Sequence, residues 1–256
     1  MTGPSTGPVT GPVTGPVLPP VLVVSGTGTE VGKTVVTAAV AALAASGGRR
    51  VAVVKPVQTG EPPGPTGDLA VIRRLSGVTQ THELARFGDP LSPEAAARAA
   101  GKPPLDLAAA SVFIKQLGAD ADLVLVEGAG GLLVRYDPAG GTIADLAAML
   151  DAPVLVVTTP GLGTLNHTAL TLEALSARRL AAAGVVIGAW PAEPGLAERA
   201  NLTDLAVIAG QALGGALPAG AARLSRADFL AAARAGLGPG LGGTFAPSAS
   251  KLIDPH

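Results

Sequence analysis

A lysine and a threonine end the glycine-rich stretch SGTGTEVGKT, which occupies residues 25–34 directly after the apolar run VLVV. Backbone amides of such a loop, together with those of the helix start that follows it, can hold di- or triphosphate oxygens. Lys33 would neutralise charge at the β and γ phosphates, and the Thr34 hydroxyl would bind Mg²⁺. Thr27 stands where the strict GxxxxGK[ST] pattern has its first glycine. The context of apolar strand, loop and Gly-Lys-Thr still predicts a phosphate site rather than an ordinary turn.

Two carboxylates, Asp68 and Glu127, are the candidates for the remaining magnesium ligands. Mg²⁺ takes carboxylate and phosphate oxygens and retains waters, so these two groups and Thr34 would suffice. Glu127 directly follows an apolar run, where an unpaired charge would be costly to bury. Asp68 could equally be the N-cap of the helix that begins there. The sequence leaves these two interpretations of Asp68 open.

A second lysine, Lys55, ends another apolar run, and Pro56 favours an extended approach to it. A lysine whose stem packs while its amine reaches solvent is the ordinary alternative, but it is less common at a strand's carboxyl end. Two lysines beside one phosphate site indicate a reaction that develops more negative charge than simple hydrolysis. Asn166 and His167 open a later helix whose free amides could hold a carboxylate, and we expect His167 itself to be structural.

Short apolar runs alternate with alanine-rich stretches and must position these side chains. The predicted strands cover residues 21–24, 51–54, 123–126, 154–157 and 185–187, and their apolar residues at both parities are typical of a parallel sheet buried on both faces. The predicted helices cover residues 33–46, 68–76, 92–100, 106–117, 142–150 and 164–177, so that only helices lie between the second and third strands. This order predicts an α/β fold with a doubly wound, mostly parallel sheet and helices on both faces. Ligands then bind at the carboxyl ends of the strands, where the candidate residues stand.

Composition narrows the function classes. The 256 residues suit one α/β domain, and 18 basic against 19 acidic residues predict no nucleic acid or membrane partner. The absence of cysteine excludes disulfides, thiolate metal sites and cysteine nucleophiles, and fits a cytoplasmic location. Charged residues, Gly or Pro interrupt every apolar run before roughly 20 residues accumulate, which predicts no transmembrane helix.

The two ends of the chain differ from its middle. Residues 2–17 repeat TGPS, TGPV, TGPV, TGPV, and a proline in every unit leaves little to hydrogen-bond or bury. We therefore predict a disordered tail over residues 1–20, a single domain over residues 21–235, and a second disordered tail, rich in Gly and Pro, over residues 236–256.

Six segments, taken in order, closely resemble dethiobiotin synthetase, the ATP-dependent enzyme that closes the ureido ring in biotin synthesis. They are GTGTEVGKT (26–34), KPVQTG (55–60), GDL (67–69), VEGAGGLLV (126–134), LGTLNHT (162–168) and LPAG (217–220). The resemblance runs over about residues 21–230 and implies a P-loop NTPase-like fold. The family's loop has the form GTxTxxGKT, so Thr27 is its normal residue.

The resemblance implies a substrate and a reaction. One amine of 7,8-diaminopelargonate takes up CO₂ as a carbamate, with Lys55 at the carbamate and Thr59 touching the substrate. ATP phosphorylates the carbamate to a carbamic-phosphoric mixed anhydride, while Lys33 and Mg²⁺ stabilise the phosphoryl group. The second amine then closes the cyclic urea and releases phosphate. The implied metal ligands are Thr34, Asp68 and Glu127.

Further ligand contacts follow from the same resemblance. The family is a homodimer in which the substrate's distal carboxylate binds at a helix start across the interface, a role that falls to Gly163, Thr164, Leu165 and Asn166. Many members carry an asparagine for adenine recognition where this chain has Gly188, which predicts use of other nucleoside triphosphates besides ATP. The implied nucleotide contacts are Thr29, Glu30, Val31, Gly32, Lys33, Thr34, Val35, Asp68, Glu127, Gly128, Ala129, Gly130, Gly188, Ala189, Pro218, Ala219 and Gly220.

Two other classes share the loop. A cobyrinic-acid-type amidotransferase synthetase needs a glutaminase domain with a cysteine nucleophile, and this chain has no cysteine. A partition or positioning ATPase carries a signature lysine in KGGxGKT, where this loop has Gly28, and usually adds a basic or amphipathic surface element. The partition-type P-loop ATPase remains the alternative hypothesis.

Overall fold

A parallel β-sheet forms the centre of the computed structural model, which describes residues 18–246. Within that range seven strands run in the order β3-β2-β4-β1-β5-β6-β7, and every pairing is parallel. The strands are β1 (Val21–Gly26), β2 (Val51–Thr59), β3 (Gln80–Phe87), β4 (Leu123–Gly131), β5 (Val154–Thr158), β6 (Ala182–Trp190) and β7 (Gly215–Pro218). The helices are α1 (Lys33–Ser46), α2 (Asp68–Ser76), α3 (Pro93–Ala99), α4 (Leu107–Leu117), α5 (Ile143–Leu150), α6 (Thr164–Ala177), α7 (Leu196–Ala209) and α8 (Arg226–Gly236), with 3₁₀ helices at Ala221–Arg223 and Pro239–Leu241.

Alternate residues of the central strands pack into two separate cores. On β1, Leu22 and Val24 belong to the core formed with α1, α2 and α8, whereas Val23 belongs to the core formed with α3 to α7. All three side chains are fully buried. Burial at both parities is what the apolar strand runs predicted, because a parallel sheet is covered by helices on both faces. The predicted fold class is confirmed.

The strand order places a topological switch point at β1 and β4. The chain leaves β1 toward β2 and β3 on one side of the sheet, whereas it leaves β4 toward β5, β6 and β7 on the other. The loops that follow β1 and β4 therefore diverge, and a crevice opens between them at the carboxyl ends of the strands. Residues 27–32 and the VEGAGG segment border this crevice.

The elements predicted from apolar runs are confirmed, whereas two strands and two helices were missed. Predicted helices 33–46, 68–76 and 164–177 coincide with α1, α2 and α6. The prediction that only helices separate the second and third strands is wrong, because β3 lies between them. β3 has the sequence QTHELARF and pairs on one side only, with β2, so most of its side chains are half-buried and give no apolar signal. β7, with four residues, was missed together with α7 and α8.

The predicted disordered tails are wrong where the structure describes them, while residues 1–17 and 247–256 lie outside the described residues. Leu18 packs against the α1 core, and Leu237 and Leu241 are buried. The glycines that suggested disorder allow close backbone packing instead. A Cβ at Gly243 would lie 2.0 Å from the Leu237 carbonyl oxygen. Among the described residues, no helix combines the length and apolar composition needed to span a bilayer.

Candidate functional site

The loop after β1 presents an uncapped helix start. Gly32, the N-cap of α1, has φ 95°, and Glu30 has φ 58°, so two residues of the loop adopt the left-handed region. No side chain among the described residues caps α1. Its first amides therefore have no intrahelical partner and point, with the positive end of the helix dipole, into the crevice. This arrangement can bind a phosphate.

Lys33 is the first residue of α1 and is almost completely buried. Its Nζ donates a hydrogen bond to the Gly28 carbonyl oxygen at 2.8 Å, which folds the side chain back over the loop. Burial, and secondly the positive charge of Lys55, lowers the pKa of Lys33 from 10.5 to about 8. The two lysines line the same cavity, so their ammonium groups are close enough to repel each other.

Lys55 lies between two carboxylates. Its Nζ is 2.9 Å from Glu127 Oε1 and 2.5 Å from Asp68 Oδ2, and it also donates to the Gly128 carbonyl oxygen at 3.1 Å. The side chain is 3% exposed, which excludes the solvent-reaching alternative. Burial alone would lower the pKa of Lys55, but the carboxylates of Glu127 and Asp68 raise it above its ordinary value. Lys55 is therefore a fixed cation at neutral pH.

Asp68 is not the N-cap of α2, because Gly67 holds that position. Burial opposes the charge of Asp68, yet the Lys55 ammonium holds the pKa of this carboxyl below its ordinary value. Of the two interpretations that the sequence left open, the N-cap is wrong. The carboxylate faces the same crevice as Lys55, with 31% of its side chain exposed.

The oxygens around Glu127 fit a magnesium ion. Glu127 Oε1 accepts hydrogen bonds from Thr34 Oγ1 and Lys55 Nζ, both at 2.9 Å, whereas Oε2 has no partner among residues 18–246. Burial raises the pKa of this fully buried carboxyl. An unpaired buried carboxylate oxygen is costly unless a ligand satisfies it. Hard oxygen donors that converge at one place are what Mg²⁺ takes in proteins.

A cavity of about 320 Å³ connects the loop with this cluster. It brings together the predicted residues from the carboxyl ends of β1, β2 and β4. It adds Gln58 and Glu61, which were not predicted although Gln58 precedes Thr59 directly and Glu61 follows it after Gly60. Val31 and Val35 face the core instead. The lining residues are Thr29, Glu30, Gly32, Lys33, Thr34, Lys55, Gln58, Thr59, Glu61, Asp68, Glu127, Ala129 and Gly130.

The start of α6 is held by threonine hydroxyls. Thr164 Oγ1 donates to the Thr159 carbonyl oxygen at 2.5 Å, so it must accept the single proton of Thr158 Oγ1, 2.7 Å away. Thr158 then accepts from Thr168 at 3.0 Å and from Thr27 of the β1 loop at 3.3 Å. This network, Thr158 and its three hydroxyl partners, joins α6 to the loop after β1.

Four predicted substrate contacts, Gly163, Thr164, Leu165 and Asn166, stand at this helix start and do not line the cavity of the cluster. Gly163 and Asn166 are exposed, and Thr164 is buried. No described side chain caps the helix, whose N-cap is Gly163. The first amides of α6 are therefore open at the protein surface, where a helix start of this kind can hold an anion.

Gly188 lies beneath the loop after β1. A Cβ at this position would be 2.1 Å from the Val31 carbonyl oxygen and 2.9 Å from Gly32 Cα, so a side chain here would collide with the loop. The glycine is thus required by packing. Exposed Ala189 follows it, and the Ala219 amide donates to the Trp190 carbonyl oxygen at 2.7 Å, which brings the Pro218, Ala219 and Gly220 turn beside the end of β6.

Solved structures of other proteins share this fold. The septum site-determining protein MinD from Pyrococcus horikoshii, complexed with Mg-ADP, has a TM-score of 0.50 at 19% identity and covers 77% of this chain and 80% of that chain. A MinD cell division protein from Aquifex aeolicus has a TM-score of 0.50 at 13% identity and covers 88% of this chain and 87% of that chain. At these identities the likeness concerns the fold alone, which is that of P-loop NTPases.

Comparison with protein families and curated proteins identifies the family. A family model described as an AAA domain matches residues 21–220. ATP-dependent dethiobiotin synthetase BioD of Parafrankia sp. is 61% identical over 88% of this chain and 94% of its own length. The proteins of that name from Frankia casuarinae and Streptomyces avermitilis are 62% and 56% identical, with the same coverage. The chain belongs to the family of ATP-dependent dethiobiotin synthetases.

Proposed function

We propose that this protein is an ATP-dependent dethiobiotin synthetase, a ligase that converts 7,8-diaminopelargonate, CO₂ and ATP to dethiobiotin, ADP and phosphate. The observation that carries the proposal is the juxtaposition of two buried lysines in one cavity, one on the phosphate loop and one between two carboxylates. A nucleotide hydrolase needs only the first. A carbamate that becomes phosphorylated is a second anion, and it needs a second cation.

Lys33 serves the nucleotide phosphates. Its ammonium reaches the Gly28 carbonyl oxygen across the loop, so it is already over the concavity formed by the uncapped amides of α1. A phosphate oxygen is a stronger partner for an ammonium than a carbonyl oxygen is, because the hydrogen bond is then charge-assisted on both sides. Lys33 would exchange Gly28 for the γ phosphate and stabilise the charge that develops during transfer.

Lys55 serves the carbamate. Because its carboxylate partners raise its pKa, the amine is protonated at neutral pH and acts as an electrostatic anchor rather than as a base. It would orient the carbamate oxygens toward the γ phosphate, and Thr59, at the end of the same strand, would contact the substrate. Bringing the two reactants together in one fixed geometry removes much of the entropic barrier to their reaction.

Thr34, Asp68 and Glu127 would hold Mg²⁺. Their oxygens converge beside the phosphate loop, and Glu127 Oε2 has no partner among the described residues. When bound, Mg²⁺ neutralises charge on the phosphate oxygens. Asp68 and Glu127 therefore have two roles in the proposal, since they also fix the Lys55 ammonium.

The proposal includes a homodimer in which Gly163, Thr164, Leu165 and Asn166 of one protomer bind the carboxylate of the substrate held by its partner. Leu162, beside this helix start, is 91% exposed, and Leu170 is 56% exposed one turn beyond Asn166. Exposed leucines of this kind fit burial by a second copy. Leu170→Glu should shift the mass measured by light scattering toward the monomer and weaken diaminopelargonate binding, and a dimer with wild-type affinity would contradict the arrangement.

The nucleobase is proposed to lie near Gly188, Ala189 and the Pro218, Ala219 and Gly220 turn. A glycine at position 188 offers the base no hydrogen-bonding side chain, which supports the use of other nucleoside triphosphates besides ATP. Turnover with ATP, CTP and GTP at equal concentrations tests this, and activity with ATP alone would contradict it. The remaining proposed nucleotide contacts are Thr29, Glu30, Val31, Gly32, Val35, Gly128, Ala129 and Gly130.

The synthetase is proposed to act as one domain in the cytoplasm, and the partition-type ATPase is not favoured by any specific feature of the site. The solved structures of cell division ATPases share the fold at 13–19% identity, whereas the curated synthetases are 56–62% identical. Gly28 also stands where the partition-type loop carries its lysine.

Product analysis tests the proposed function. The full chain is incubated with diaminopelargonate, bicarbonate, Mg²⁺ and ATP, and the products are identified by mass spectrometry. We expect the cyclic urea, with one ADP and one phosphate formed for each ring closed. ATP hydrolysis without a cyclic urea would overturn the proposal.

A further inference from the structure

The segment that carries Asp68 into the site has little structure of its own. Residues 60–67, GEPPGPTG, connect β2 to α2, and residues 62–66 are exposed. The three prolines have no amide donor, so the segment can form few backbone hydrogen bonds. Helix α2, which begins at Asp68, holds this residue on one side, and on the other side its position depends on side chains that contact residues 60–67.

Arg86, near the end of β3, hydrogen-bonds to the backbone of this segment at two points. Its Nη1 donates to the Pro62 carbonyl oxygen and its Nη2 to the Thr66 carbonyl oxygen, both at 2.9 Å. Glu83 fixes the guanidinium from the other side, through contacts of 2.6 Å to Nε and 2.7 Å to Nη2. A guanidinium held by both oxygens of a carboxylate has a defined plane, so its remaining donors point in defined directions.

Gln58 hydrogen-bonds to the end of the segment, beside Arg86. The two residues are direct partners in the β2–β3 register, Gln58 with Arg86. Gln58 Oε1 accepts from the Asp68 amide at 3.0 Å, while its Nε2 donates to the Thr59 carbonyl oxygen at 3.1 Å. Arg86 holds the carbonyl of Thr66, so the two side chains hold the backbone on both sides of Gly67.

Gly67 is the residue that lets the two side chains approach. It has φ 105°, and a Cβ there would lie 2.8 Å from Gln58 Oε1 and 3.3 Å from Arg86 Nη2. Any larger residue would be strained and would push both side chains away. The next residue, Asp68, then reaches Lys55 Nζ at 2.5 Å.

We propose that Arg86 and Gln58 form a clamp on residues 66–68 that positions the Asp68 carboxylate against Lys55. The inference rests on the proposed roles of Asp68 and Lys55 in the site. Neither clamp residue needs to touch the reacting atoms, and both are positioning residues. Without the guanidinium, the segment loses its two carbonyl contacts and Asp68 samples positions away from the metal and Lys55.

The test is Arg86→Gln in the full chain, with Arg73→Gln as its matched control. Arg73 also lies beside β3, where its Nη1 donates to Thr81 Oγ1 at 2.8 Å, but its side chain makes no hydrogen bond to residues 60–68. Arg86→Gln should raise the half-saturating Mg²⁺ concentration roughly tenfold, the scale of one lost hydrogen bond to a charged group, and lower kcat. Nucleotide affinity measured without Mg²⁺ should stay unchanged.

A second measurement needs no metal and no turnover. Hydrogen exchange of the Asp68 amide, which donates to Gln58, should be roughly tenfold faster in Arg86→Gln than in the wild type and unchanged in Arg73→Gln. Glu83→Gln leaves the arginine in place but frees its plane, and should move both measurements in the same direction by a smaller factor. This variant keeps the test valid if Arg86→Gln does not fold.

The clamp is overturned if Arg86→Gln has the wild-type Mg²⁺ requirement and Asp68 exchange, or if Arg73→Gln shifts both by the same factor. Failure of the proposed function looks different. A wild-type protein that makes no cyclic urea would contradict the synthetase, while the Asp68 exchange rates would still decide whether the clamp exists.

Discussion

A methyl group at position 188 should displace the phosphate loop. In Gly188→Ala the added carbon would lie 2.1 Å from the Val31 carbonyl oxygen. Ordinary contacts between carbon and a carbonyl oxygen begin at about 3.3 Å, so β6 and the loop must separate locally by about 1.2 Å. The added carbon also approaches Val157 Cγ1 to 2.9 Å on the neighbouring strand, so β6 cannot simply shift toward it.

The displacement sets the size of the effect. A misplacement of about 1 Å in a reactant's position can cost roughly 100-fold in rate, and overpacking of this kind costs about 1–3 kcal/mol in the free energy of unfolding. We therefore expect kcat/KM for ATP to fall about 100-fold. Denaturant unfolding should report the stability loss independently.

Steady-state kinetics and nucleotide titration calorimetry make the test, with Gly88→Ala as the control. A Cβ at Gly88 meets no atom of the described chain within 4 Å, so this variant should keep wild-type kinetics. Gly188→Asn should bind ATP more weakly than Gly188→Ala, because it brings a larger group into the same space. Wild-type loop function in Gly188→Ala, or a gain of ATP preference in Gly188→Asn, would refute the packing argument.

Three other changes test single contacts of the site. Lys55→Gln should reduce diaminopelargonate turnover more than nucleotide affinity. It should also lower the free energy of unfolding by about 3–5 kcal/mol, because two carboxylates lose their buried cation. If nucleotide binding alone collapsed, the proposed roles of the two lysines would have to be exchanged. Burial lowers the pKa of Lys33 to about 8, so between that pH and its ordinary value of 10.5 the unfolded chain binds more protons than the native one. As the pH rises over that window, the free energy of unfolding should increase by up to about 3 kcal/mol because of Lys33. Urea unfolding should show this increase in the wild type but not in Lys33→Met. Thr158→Val removes the central hydroxyl of its network at nearly constant volume and should cost about 1–3 kcal/mol in the free energy of unfolding, whereas Thr158→Ser keeps the hydroxyl and should cost less. Equal losses in both variants would contradict the importance of the hydroxyl network.

The elements that sequence analysis found are those whose signal is local. β1, β2, β4, β5 and β6 are apolar at both parities, and that pattern arises only where both faces of a strand are covered. β3 is an edge strand, and its polar residues carry contacts of their own, such as the Arg86 and Glu83 pair. Periodicity cannot separate such a strand from a loop, because its half-buried residues show no alternation of apolar and polar positions. What defines β3 is its pairing with β2, 28 residues earlier in the chain, as in the pairing of Ala52 with Gln80.

The residues of the site also differ in whether a local sequence signal predicts them. Lys33, Thr34, Lys55, Asp68 and Glu127 could be predicted because each directly follows or ends a strand run or opens a helix. Adjacent parallel strands bring those ends together. The roles of Gly188, Gln58 and Arg86 depend on which strands are neighbours and in which register. The strand order alone brings Gly188 under the loop, so no local pattern distinguishes it from a glycine that a ligand requires.

The charged and polar groups of the site are already paired with one another before any ligand binds. Lys33 donates to a carbonyl, Thr34 to Glu127, and Lys55 to both carboxylates, so a phosphate or a metal ion must replace contacts that are already made. Such competition weakens binding but fixes the geometry in advance, and fixed dipoles and charges need no reorganisation during the reaction. Glu127 Oε2 is the exception, with no partner among residues 18–246. A cation that enters there satisfies a buried oxygen without breaking a contact, which makes this atom the most favourable point of entry for the metal.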